Sequence, residues 1–135
     1  MDELTMLVSC VEYYSHLKNI PGNKVFESFD KNGVLQMMVD SRNLFPDMDL
    51  NFYIGMIDGL LALESDVEEK VYLHYTERTE LLKEVIAKLA KKHHMDAVEA
   101  SRLYYGSRIA EAVAEDMTGY YQKPAEEIFV AVEKE

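Results

Sequence analysis

The sequence predicts an all-α fold built as two tandem, pseudo-twofold-related units of about four helices each, packed as one compact helical bundle. Three observations lead to this prediction. Only 3 of the 135 residues are proline and 6 are glycine, so few residues interrupt helices. Apolar residues recur at three- and four-residue steps, the period of an amphipathic helix. The same apolar register returns after a shift of 75 residues.

The first unit covers residues 1–64. Pro21 lacks a backbone N–H and suits a first helical turn, so a helix is expected to begin there, and Gly33 can adopt the left-handed conformation that ends it. The predicted elements, in order, are a helix over residues 4–17, a helix over residues 21–32, a short helix around residues 34–38, a loop over residues 40–49 and a helix from residue 50 to about residue 64.

The second unit covers residues 77–135. The shift of 75 residues places Tyr104 on Phe29 and Phe129 on Ile54, and the apolar register survives without a gap. Asp96 and Glu99 have the spacing of a capping box and stand where Pro21 starts a helix in the first unit. The alternative to a duplication is that two helical segments match at this shift by chance. Units this small are marginal alone, which favours packing of one on the other.

The linker between the units, residues 65–76, is predicted to be helical at least in part. Ser65 and Glu68 have capping-box spacing, and Val67, Val71 and Tyr75 form one apolar stripe if the segment is helical. A short extended strand through residues 71–73 is the alternative.

The net charge of −11 comes from 25 acidic and 14 basic residues. This field repels a phosphate backbone, and the largest basic patch in the sequence is Lys88, Lys91 and Lys92. Nucleic acid is therefore an unlikely partner and a basic protein a better one, although an acidic surface also serves plain solubility.

The expected compartment is the cytoplasm. The single cysteine, Cys10, excludes an internal disulfide and fits a reducing environment. No apolar run approaches the roughly 20 residues that span a membrane, and the first residues are acidic where a signal peptide is basic. We therefore expect no association with membranes.

No pattern of residues in the sequence indicates an enzyme, a cofactor or a metal. Glu12 and His16 lie one helical turn apart and could face one metal ion, but two ligands do not make a site. Cys10 lies on an apolar stripe, where burial would suppress its reactivity. The sequence contains neither a glycine-rich phosphate loop nor paired cysteines at zinc-site spacing.

Three tyrosine pairs are the candidates for an interaction surface: 13–14, 104–105 and 120–121. Adjacent helical residues point about 100° apart, so one ring of each pair can enter the core while the other lies at its edge. Edge tyrosines suit interfaces because they offer a large apolar area with a polar tip. We predict Tyr13, Tyr105 and Tyr121 as the edge residues, while packing within the monomer remains the alternative.

The stretch from Val8 to Phe45, continuing into DMDLNFYIGMIDGLL, resembles a family of small bacterial all-α domains of unknown function found beside putative ADP-ribosyltransferase-type toxins. The pattern is a helix, a Lys-Asn-Ile turn, an aromatic-bearing helix (VFESF) and then Lys31-Asn32-Gly33-Val34. The resemblance covers residues 4–63, and the second half matches only loosely. The chain departs from the family where Pro21 replaces a Ser or Thr helix cap and where Leu44-Phe45 replaces a tyrosine. The resemblance implies an antitoxin-like companion and carries over no catalytic residue.

Two functions follow as hypotheses. The first is a non-enzymatic, acidic interaction protein that binds a protein partner, with a basic toxin as the candidate that the resemblance implies; a homodimer is left open. The second is a nucleic-acid-associated regulator that uses residues 21–34 as a helix-turn-helix, which a basic reading helix would favour. Lys24 and Lys31 are balanced there by Glu27 and Asp30, which disfavours the second.

Overall fold

A computed structural model describes residues 1–61, 63–65 and 68–135, and every regular element in these ranges is helical. The predicted all-α class is therefore confirmed. The elements are α1 (Glu3–Lys18), α2 (Gly22–Lys31), α3 (Val34–Leu44), α4 (Leu50–Leu60), α5 (Tyr75–His93), α6 (Ala97–Tyr105), α7 (Arg108–Ala114) and α8 (Ala125–Glu133), with 3-10 turns at Asp116–Thr118 and Tyr120–Gln122 between α7 and α8.

Short polar side chains start four of these helices. Asp2, Asp49, Asp96 and Ser107 each accept a hydrogen bond from the backbone N–H three residues later, at 2.7 to 3.3 Å. Each bond satisfies one of the amides that a helix N-terminus leaves unpaired. Asp96 is the residue for which the sequence predicted a cap.

Helix boundaries recur in the two halves at the offset of 75 residues. α1 ends at Lys18 and α5 at His93, and the residues that follow, Asn19 and His94, are both left-handed with φ of 56° and 55°. α4 begins at Leu50 and α8 at Ala125. The packing between halves is less regular. The shift of 75 residues makes α5 the counterpart of α1 and α6 the counterpart of α2. α1 packs on α6 and α2 on α7, but among the described residues α5 makes no contact with α2 comparable to that of α1 with α6.

One apolar core runs through both halves. α1 packs more extensively on α5 than on any other helix, and α5 in turn packs on α6 and α8. Buried side chains of α1, α2, α5 and α6 belong to the same cluster. Cys10 lies inside it with no exposed area, so its predicted place in the core is confirmed.

Two predicted boundaries are wrong. α3 continues to Leu44 and ends before Pro46, because a proline disfavours the helical conformation of the residue before it. α4 ends at Leu60 instead of Glu64. Of the predicted linker, residues 65 and 68–74 form neither helix nor strand, and its last two residues, Tyr75 and Thr76, belong to α5. Val67, which was placed on the predicted stripe, lies outside the described residues.

Contacts with α1 explain the extended linker. Asn19 donates to the carbonyl of Glu69 at 2.8 Å and accepts from the amide of Val71 at 3.2 Å. The Nδ1 atom of His16 donates to the carbonyl of Tyr72 at 2.9 Å. Side chains at the C-terminal end of α1 and in the residue that follows it therefore satisfy backbone groups that a helix would have paired internally.

Candidate functional site

The tyrosine pair of α1 divides between core and edge, as helix geometry predicts. Tyr14 is fully buried, and Tyr13 is half-buried. The Tyr13 ring lies 5.6 Å from that of Tyr75, which in turn stacks on His16 at 4.4 Å. Tyr13 is therefore part of an aromatic cluster at the N-terminus of α5.

The pair in α6 does not divide, and the predicted edge position of Tyr105 is wrong. Tyr104 is 1% exposed and Tyr105 is 6% exposed, because α6 packs against α1, α2 and α5. The Tyr105 ring stacks on Phe26 with centroids 4.8 Å apart, and its hydroxyl donates to Glu12 Oε2 at 2.8 Å. Tyr105 thus has a packing role between the two halves.

Tyr121 lies in the second 3-10 turn and is half-buried. Its ring stacks on His74 with centroids 4.3 Å apart. Because His74 and Tyr75 are neighbours in the chain, Tyr13 and Tyr121 both contact one short segment.

Large apolar side chains are exposed in this region. Val71 is 44% exposed, Leu73 is 61% exposed and Met117 is fully exposed. The amide of Leu73 donates to Asp116 Oδ2 at 2.7 Å, which places Leu73 beside the turn that carries Met117. We call this surface the linker face; its residues are Tyr13, Val71, Leu73, His74, Tyr75, Met117 and Tyr121.

Exposed carboxylates border the linker face. Glu68 and Glu69 precede it in the chain, Glu77 pairs with His74, and Glu115 approaches the hydroxyl of Tyr72 at 3.5 Å. Lys70 is also present, but its ammonium group donates to the carbonyl of Leu17. The surface therefore combines an apolar centre with an acidic border.

A buried arginine holds the linker face in place. Arg78 is 1% exposed; its Nε donates to the carbonyl of Val113 at 2.9 Å, and its Nη2 donates to Asp116 Oδ1. The second oxygen of Asp116 accepts from the amides of Leu73 and His74 at 2.7 and 3.2 Å. Arg78 and Asp116 therefore connect α5, the end of α7 and the linker.

Glu12 is the second buried charge and lies beside Arg78. Its Oε1 atom is 3.9 Å from Arg78 Nη1, and neither of these two atoms has a hydrogen-bond partner within the described ranges. Burial raises the pKa of Glu12, and the nearby Arg78 and the hydroxyl of Tyr105 offset part of that shift. Gly22 leaves room for this carboxylate, since a Cβ there would lie 2.6 Å from Glu12 Oε2.

The structure does not bring Glu12 and His16, which lie one helical turn apart, together as metal ligands. His16 faces the carbonyl of Tyr72, whereas Glu12 faces Tyr105 and Arg78. In the part of the chain that the structure describes, no group of three or more His, Cys, Asp or Glu side chains is arranged to hold a metal ion. Burial raises the pKa of the Cys10 thiol to about 12, so it is not a nucleophile at neutral pH.

The helix-turn-helix hypothesis concerns α2 and α3. The exposed side of α2 carries Lys24 and Glu27, whose charged groups lie 3.7 Å apart, and Asp30 pairs with Arg102 of α6. These pairings leave α2 without the excess of basic side chains that a reading helix uses. Within the described ranges, no helix is both long and apolar enough to cross a membrane.

Fold and site together define an all-helical protein with an exposed apolar face that is linked through Asp116 to a buried cluster of charges. No family model, curated protein or solved structure matches the chain.

Proposed function

We propose that this chain is a non-enzymatic binding protein that docks a basic protein partner on its linker face. The observation that carries the proposal is the exposure of Leu73 and Met117, at 61% and 100%, beside a segment whose His74 and Tyr75 rings contact Tyr121 and Tyr13. Large exposed apolar side chains surrounded by polar ones are typical of protein interaction sites.

Charge selects the class of partner. The net charge of −11 and the carboxylates of Glu69, Glu77 and Glu115 around the face attract a basic surface and repel an acidic one. Such complementarity speeds the encounter and excludes wrong partners more than it adds affinity. The resemblance of residues 4–63 implies a toxin as the partner and the charge of the chain favours a basic one, so the proposed role is antitoxin-like.

Preorganisation supports the choice of this face. The backbone of Leu73 and His74 is held by Asp116, and that of Val71 by Asn19. A docking segment that is already ordered loses little conformational entropy when the partner binds.

We also propose that the chain arose from two copies of one helical unit related by an approximate twofold axis. The shared boundaries of α1 with α5 and of α4 with α8 support the duplication. The contacts of α1 with α6 and of α2 with α7 are where the two units depart from symmetry.

The test is capture of a partner with matched variants. The purified chain, the variant Leu73→Ser/Met117→Ser and the control Leu44→Ser are immobilised and exposed to an extract of the native host at low salt. Leu44 is a suitable control because it is 73% exposed but lies away from the linker face. Its neighbour Arg42 donates to the carbonyl of Met1, before the start of α1, whereas the linker face lies near His16 at the end of α1. Circular dichroism checks that the variants keep their helices.

The expected result is one basic protein retained by the wild type and by Leu44→Ser. Retention falls about tenfold or more in the double variant, since exposed apolar anchors dominate interfaces. Roughly 0.5 M salt releases the partner, because salt screens exposed charges. Equal retention by the double variant, or a retained protein of acidic isoelectric point, would contradict the proposal.

A further inference from the structure

A cleft between the two halves is separate from the linker face. It has a volume of about 270 Å³ and lies where α2 meets α6 and the start of α7. Its buried wall is the stacked pair Phe26 and Tyr105, and its other sides carry polar groups. None of the residues that line the cleft belongs to the linker face.

The two cations that line the cleft are already paired. Arg102 donates to both oxygens of Asp30, at 2.8 and 2.9 Å, and Lys24 lies 3.7 Å from Glu27. Each cation of the cleft therefore has a carboxylate partner beside it.

Two acceptors in the cleft are uncommitted. Asn23 Oδ1 is buried and has no hydrogen-bond partner within the described ranges. Glu111 is exposed at the rim and forms no ion pair with the described residues. The ionisable groups that line the cleft are two cations and three carboxylates, so its formal charge is −1.

We propose that this cleft binds a guanidinium group. Such a group has five N–H donors and no acceptor, which suits the free oxygens of Asn23 and Glu111. Its apolar plane can lie against the edges of Phe26 and Tyr105, whose faces are stacked on each other at the base of the cleft. The group can come from an arginine side chain of a polypeptide or from a small free guanidine, and the two sources share the same recognition.

Backbone amide NMR of the full chain tests the proposal. N-acetyl-L-arginine amide is titrated at constant ionic strength against N-acetyl-L-citrulline amide, which has the same shape without the charge. Only the arginine compound should shift the amide signals of Asn23, Gly106 and Ser107. Agmatine forms a second arm: binding much tighter than that of the arginine compound indicates a small free guanidine, and equal binding indicates a polypeptide side chain.

Two variants with the same change of charge locate the site. Glu111→Gln should weaken binding of the arginine compound about threefold or more, in line with an exposed ion pair. Glu84→Gln, an exposed carboxylate of α5 away from the cleft, should leave binding unchanged. Equal shifts with the citrulline compound, no shifts at the cleft at roughly 50 mM of the arginine compound, or equal effects of the two variants would overturn the proposal.

Discussion

The tyrosine pairs of α1 and α6 have the same local sequence pattern and different environments. In α1 one ring is buried and the other is half-buried, whereas in α6 both rings are buried. Tyr13 makes ring contacts with Tyr75 and His16 at the surface, but Tyr105 is enclosed and bonds to the buried carboxylate of Glu12. The rotation between adjacent helical residues sets the directions of the two rings, and the neighbouring helices decide which of them is covered.

Enclosure changes the chemistry that a tyrosine needs. The hydroxyl of an edge tyrosine can bond to water, whereas a buried hydroxyl needs a protein partner. Glu12 supplies that partner for Tyr105, and its own buried charge lies beside Arg78. The largest expected effects of substitution therefore lie in this buried cluster.

Arg78→Met breaks the cluster most severely. It leaves Glu12 and Asp116 without their buried cation, which should lower the free energy of unfolding by about 3–5 kcal/mol. Urea denaturation measures the loss. Arg108→Met removes an exposed arginine of α7 and should change stability by less than about 0.5 kcal/mol. Equal effects of the two substitutions would mean that Arg78 is not a structural cation.

The cost of Arg78→Met should also depend on pH. Because burial raises the pKa of Glu12 in the folded state, the folded protein holds more protons than the unfolded one between the two pKa values. The stability that Glu12 contributes is therefore greatest at a pH below its pKa in the unfolded chain. That contribution is lost as the pH rises through its pKa in the folded protein. Loss of Arg78 raises the folded pKa further, so the substitution should cost more at about pH 8 than at about pH 5. A cost independent of pH would contradict this account.

Tyr105→Phe and Tyr13→Phe compare the enclosed and edge rings directly. Removing the hydroxyl of Tyr105 takes a hydrogen bond from Glu12 and should cost about 1.5–3 kcal/mol. The hydroxyl of Tyr13 has no hydrogen bond to the described residues, so its removal should cost less than about 0.5 kcal/mol. Thermal unfolding of both variants provides the measurement. If Tyr13→Phe proved the more costly, the enclosed–edge distinction would be wrong.

Gly22→Ala and Gly55→Ala sharpen the comparison through steric space. A Cβ at Gly22 would meet Glu12 Oε2 at 2.6 Å, and the overpacking should cost about 1–3 kcal/mol. A Cβ at Gly55 of α4 meets nothing within 4 Å, so alanine should stabilise the helix by about 0.5–1 kcal/mol. Urea denaturation should show opposite signs for the two changes in unfolding free energy. A Gly22→Ala variant as stable as the wild type would show that the carboxylate of Glu12 moves aside freely.

Helix existence was predictable because it depends on local spacing. The helical segments of both halves and the cap at Asp96 follow from apolar periodicity and short polar side chains. How little of the linker is helical could not be predicted, because backbone groups of residues 69–72 pair with Asn19 and His16, which are distant in sequence. The position of Arg78 in the core could have been predicted, since it lies four and seven residues before Leu82 and Val85 on the buried stripe of α5. The exposure of Met117 could not be predicted, because the 3-10 turn Asp116–Thr118 is too short to show a periodic pattern of apolar residues.

The sequence by itself determined that the chain folds into helices, that Cys10 is buried and that the surface is acidic, because these properties depend on local spacing and composition. Only the tertiary structure decided that Tyr105 faces Glu12 and that Tyr13 and Tyr121 border one apolar face. Such pairings depend on which helices meet, and the packing of distant elements is not written in any short stretch of residues.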